Sequence, residues 1–214
     1  MADDVSINPG DAQPTNVTVR TDELSGGGHV QYVKLMNGTA DSESVFKCDT
    51  TTSSMQMVEY EHHEIHSGSS YRTSYIVELS NGASQDILVT TPGTTKWAHM
   101  TLLVNTKLEA AVYIYENPTI TGAGTGVTTY NRNRNVSTAA TTVVTHTPSV
   151  SATGAVLIWQ DHVGTGKSSG GESHSQNEFV LKQNEQYLIR VTNATTSANY
   201  VAIHVDWYEH TNSV

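Results

Sequence analysis

Residues 161–172 read DHVGTGKSSGGE, and GTGKS matches the end of a phosphate-gripping loop, where a lysine and a serine follow a run of backbone amides. That chemistry needs a glycine five positions before the Gly-Lys pair, so that the loop can curl its amides round the phosphates, and a helix after it. Asp161 occupies that position, a carboxylate that repels phosphate, and SSGGESHS is a poor helix start. The expectation is a Gly/Ser loop between two strands, with no nucleotide and no other cofactor.

EYEHHEIHSG offers a second chemistry. On an extended strand His62, Glu64 and His66 would share a face and could converge on a cation, or could form a polar strand face or subunit contact. The helical H-E-x-x-H arrangement is absent, because one residue alone separates Glu64 from His66. Histidines that change charge near neutrality also predict pH-sensitive stability. The carboxylate pairs Glu59/Glu61 and Asp206/Glu209 have the right groups for acid/base hydrolysis of a glycan, but nothing sets two of them across a cleft. No Gly-x-Ser-x-Gly elbow occurs. No catalytic residue is therefore nominated. Trp159 and Trp207 lie on strongly alternating segments and are expected in the core.

The elements that must carry these groups are strands. In YVAIHVDWYEH, Val201, Ile203, Val205 and Trp207 alternate with Ala202, His204, Asp206 and Tyr208, the period-2 signature of a half-buried strand. The run before it predicts Tyr187, Ile189 and Val191 inward with Leu188, Arg190 and Thr192 outward. Similar runs span 30–35, 55–60, 74–79, 86–91, 98–104, 111–116, 141–146, 156–160 and 178–181, mostly separated by Gly, Asn, Ser or Pro. No convincing helix is found. The fold predicted is all-β: an antiparallel jelly-roll-like β-sandwich over residues 51–214. Residues 1–50, Gly- and Asp-rich with two of the five prolines, read as an extended N-terminal arm that must lie on something else.

Composition bounds the partners. A chain of 214 residues with 36% hydrophobic content supports one real core. Its net charge of −10 repels nucleic-acid phosphate and anionic lipid, so no direct nucleic-acid partner and no membrane are expected. Cys48 is the sole cysteine, which excludes an intrachain disulfide framework. The segment MADDVSINPGDAQPTN has acids where a secretion signal has bases, so synthesis in a cytosol is expected.

The stretch VRTDELSGGGHVQYVKLMNGTADS, residues 19–42, resembles an opening found in structural proteins of tailed bacteriophages. HHEIHSGSSY, TTPGTTKWAHM, YIYENPTITGAGTGVTTYNRNRN, GGESHSQNEFVLKQNEQYLIRVTN and VDWYEH look like successive strands and loops of the same group, so the likeness covers about residues 19–210. It implies a capsid decoration, or cement, protein on the outer surface of the virion, contacting the major capsid protein and itself as a homotrimer. The arm would add a strand to a sheet edge on the shell or a sister subunit, with Thr21, Asp22, Glu23, Leu24, His29, Gln31 and Lys34 as contact residues. Arg132 and Arg134 of YNRNRN, expected on one strand face, suit carboxylate pairing across a subunit boundary. The alternative from another class is a tail-tip or receptor-binding module that recognises host glycans.

Overall fold

The computed structural model describes residues 60–164 and 178–211, together with the backbone of five short strands outside those ranges. The chain divides into two units, Met1–Met57 and Val58–Val214. In the first, β1 (Val5–Ile7) pairs antiparallel with β2 (Val17–Val19), and β3 (Thr21–Glu23) with β4 (His29–Gln31). Where the sequence predicts one extended segment with a single strand-like stretch, the backbone carries four short strands paired two by two.

The second unit opens on helix α1 (Tyr60–Ser67). Its strands are β5 (Ser70–Leu79), β6 (Ser84–Thr90), β7 (Trp97–Thr106), β8 (Ala110–Glu116), β9 (Thr119–Gly122), β10 (Thr125–Gly126) and β11 (Thr129–Asn131). They continue as β12 (Val143–His146), β13 (Ser149–Ser151), β14 (Val156–Val163), β15 (Gly171–Glu172), β16 (Phe179–Leu181), β17 (Gln186–Asn193) and β18 (Asn199–His210). One sheet has the order β10-β12-β6-β17-β8-β14, the other β11-β5-β18-β7, with β15 and β16 both on the far edge of β7. β9 and β13 make a separate ribbon. Every ladder is antiparallel. The long strands change sheets along the chain in a jelly-roll-like path.

Side-chain alternation explains the sandwich. Val201, Ile203, Val205 and Trp207 of β18 are buried with Met100, Leu102 and Val104 of β7, and meet Ile189, Val191, Val112, Ile114, Ile87 and Val89 from the other sheet. Each such side chain contributes about 1.5–3 kcal/mol by leaving water. Leu188 departs from expectation: it points outward yet is fully buried, beside the equally buried Leu88 on β6. Edge strand β14 carries a register slip between Leu157 and Trp159 and leaves Val156 and Leu157 exposed.

The inward alternation of β18 ends on a charge. Glu209 is buried with its carboxylate accepting the Thr141 and Thr142 amides, the Thr141 hydroxyl and the Trp207 indole N–H at 2.6–3.1 Å. Lys96 Nζ lies 3.9 Å away. Burial alone would raise the Glu209 pKa, but these donors outweigh it and hold the carboxyl below its ordinary 4.5. The clamp joins the last strand of one sheet to the segment that enters β12 of the other. Glu209→Ala leaves buried donors unmatched and is expected to cost about 3 kcal/mol or more in urea unfolding; a loss under about 0.5 kcal/mol would refute the clamp.

Candidate functional site

The run YNRNRN builds its own scaffold. Short amide side chains bond backbone two residues on and so make turns. Asn131 Oδ1 accepts the Asn133 N–H at 2.9 Å, and Asn133 Oδ1 accepts that of Asn135 at 3.1 Å. The buried Asn131 amide also donates to Gly68 O and Thr138 O. The asparagines thus shape the turn, and the arginines between them project. Arg132 and Arg134 therefore lie in the turn after β11, not on one strand face as the sequence predicts. Arg132 bonds Glu61 of α1 at 2.6 Å, so its carboxylate partner is inside the chain. Arg134 sits 5.2 Å over the Tyr130 ring.

These residues line an open cleft of about 680 Å³ between β5, residues 126–134 and the end of β12. Tyr75 of one sheet stacks on His146 of the other, with ring centroids 4.4 Å apart. His146 is held from behind by Thr147, whose hydroxyl lies 3.1 Å from Nδ1. Thr147 takes φ +53°, a left-handed backbone that is strained for a β-branched residue. Gly124 also requires its missing side chain: at φ +82° a Cβ there would meet the His146 carbonyl at 2.4 Å. Gly124→Ala is accordingly expected to displace the end of β12, lower Tm and disturb the Tyr75–His146 stack in aromatic NMR spectra; an unshifted spectrum would contradict this packing.

Across the second sheet lies a hydrogen-bonded group that sequence reasoning missed. His99 Nδ1 is 2.5 Å from Glu178 Oε1, which also accepts the Tyr208 hydroxyl at 2.8 Å, while His99 Nε2 meets His210 Nε2 at 2.7 Å. Of two ring nitrogens at that distance, one donates its N–H and the other accepts. The ladder β16–β7–β18 brings these residues together. The adjoining cavity is about 10 Å³, room for about one water.

His62, Glu64 and His66, weighed above as a cation-binding or polar strand face, do not share such a face. Their segment is helical, not extended. His62 and His66, one turn apart, face each other at 2.9 Å, while Glu64 is buried against the hydroxyls of Ser67 and Ser69. Gly68, at φ +79°, ends the helix and turns the chain into β5. Among the described residues no group of three or more His, Cys, Asp or Glu is placed to hold a metal. Of the paired acids, Asp206 faces outward to Arg72, whereas Glu209 faces the core. Trp207 is buried as predicted, and Trp159 is half-buried against the core. Thr21, Asp22, Glu23, His29 and Gln31 fall on the β3–β4 ladder as backbone; Leu24, Lys34, Cys48 and most of the GTGKS loop lie outside the described residues. After that loop comes a strand, β15, where nucleotide binding needs a helix.

Fold and surface together define an antiparallel β-sandwich protein with a polar, arginine-bearing cleft at one side. No protein-family model, no curated protein and no solved structure matches the chain.

His210 gives stability a defined pH dependence. Burial, then the nearby His99, lowers the His210 pKa from its ordinary 6.5 against the opposing pull of Glu64 and Glu178. The unfolded chain therefore binds more protons there, and stability falls as pH drops below 6.5, continuing until the lowered folded value is passed. The Glu209 contribution, present above 4.5, is lost only further down. Melting between about pH 7.5 and pH 3 should show two successive losses, and His210→Asn should remove the first alone. A profile unchanged by that substitution would refute the assignment.

Proposed function

We propose that the chain is a non-enzymatic virion component that decorates a phage head, binding the outer surface of the capsid and linking capsomers. The observation that carries this reading is the division into a filled β-sandwich and a separate leading unit of short strand pairs. Such a chain supplies bulk from one unit and backbone-mediated adhesion from the other. The resemblance of residues 19–210 to tailed-phage structural proteins points the same way. Negative charge disfavours the packaged nucleic acid as a contact, leaving the shell protein and sister copies as partners. The described residues contain no helix long and apolar enough to cross a membrane.

The test is location and grip. Labelled full-length chain, mixed with expanded heads of the phage that encodes it, should coat the whole shell in electron micrographs and raise the temperature at which heads rupture. Sedimentation of the purified chain should report a trimer. Removing residues 1–40 should keep the β-rich circular dichroism signal and abolish shell binding. Labelling confined to the tail, or none, would overturn the proposal.

A further inference from the structure

The cleft beside β5 has chemistry that shell adhesion does not use. Three guanidinium groups surround it. Arg72 is bonded twice to Asp206, at 2.6 Å each, and Arg132 is bonded to Glu61. Among the described residues no carboxylate pairs with Arg134, whose recorded contacts are a 3.5 Å bond to the Asn131 carbonyl and the face of Tyr130. The cleft thus keeps one uncompensated cation in a chain of net charge −10. Guanidinium is the donor geometry that grips a carboxylate with two parallel hydrogen bonds.

Position adds to charge. Tyr130 and Arg134 line both the 680 Å³ cleft and a neighbouring hollow of about 430 Å³, so the cation stands on a ridge shared by two adjacent depressions. The cleft contains the Tyr75–His146 ring pair, and Tyr130, 54% exposed, lies beneath Arg134. Aromatic faces of this kind accept the C–H face of a pyranose ring. The hydroxyls of Thr73 and Ser74 are engaged, with Thr128 O and His204. The left-handed Thr147 and the glycine-only approach at Gly124 set the backbone path at the end of β12, where His146 meets Tyr75.

We infer that this paired hollow is a binding site for an acidic oligosaccharide, with a uronate-type carboxylate on Arg134 and sugar rings against the side of Tyr130 that Arg134 does not cover and against the exposed side of the Tyr75–His146 pair. The site does not depend on the decoration reading: a head protein and a tail module could each carry it, and it makes the chain an adhesin for anionic glycans as well as a structural part. An open, pre-shaped groove with one charge contact belongs to weak, multivalent binding, where many copies on one particle multiply a modest single-site affinity.

The experiment is calorimetric titration of the full chain with a trimeric oligogalacturonate, with the neutral galactose trimer, and with a tri-glutamate peptide. The expected order is uronate first, with each of the others weaker by about tenfold or more. Arg134→Gln, at an exposed position, should abolish the preference for the acidic sugar, Arg134→Lys should restore part of it, and Tyr130→Ala should weaken both sugars. Added salt should weaken the uronate and spare the neutral trimer. Circular dichroism of each variant confirms that the sandwich is intact. Absence of uronate binding, equal binding by Arg134→Gln, or a tri-glutamate peptide that binds as tightly as the uronate would each overturn the assignment, the last showing the cleft to be a protein-docking surface. Head binding is measured separately, so its loss or retention in these variants bears on the decoration reading alone.

Discussion

A carboxylate taken out of water must find donors, and the way Glu209 finds them governs the second unit. Its partners come from the backbone of residues 141 and 142, from the indole two positions earlier on the same strand, and at longer range from Lys96. One oxygen pair therefore fixes where the long connection after β11 must end, and hence the register in which β12 joins β6. That connection begins in the asparagine-built turn, which has its own bonds to Gly68 and Thr138, so turn and clamp hold the two ends of one segment. The apolar core supplies most of the free energy of association between the sheets, yet it is tolerant of small slips that the clamp forbids.

The outer faces show a second use of charge. Arg72 with Asp206, and Arg190 with Asp86, are directly opposite on adjacent strands and pair through both arms of the guanidinium at 2.6–2.7 Å. Cross-strand pairs of this geometry reinforce register. They also remove those arginines from contention as ligand-binding groups. Among the described residues Arg134 stands outside this set of carboxylate pairs, on the wall of the cleft.

The long strands were legible in the sequence because a half-buried strand must alternate, and β18 alternates over nearly its whole length. Other elements were not, for identifiable reasons. EYEHHEIHS alternates its charged and histidine residues well enough to pass for a strand, whereas its helical form depends on Gly68 and on a distant arginine, Arg132, neither of which periodicity registers. Leu188 lies on an outer face whose burial is a tertiary fact. The His99, Glu178 and His210 group is assembled by the β16–β7–β18 ladder from residues far apart in the chain, so no local spacing announces it. The YNRNRN run was visible as a motif, but its meaning depended on knowing that the asparagines close turns.

The irregular pairing in β14 sets a rule for how this body can be tiled. The slip after Leu157 breaks that border of its sheet into pieces at residues 156–157 and 159–163, with a local kink between them. A neighbouring chain seeking continuous main-chain pairing there finds no long straight template. Copies of the chain that meet in solution are thereby steered away from fusing edge to edge into an endless ribbon.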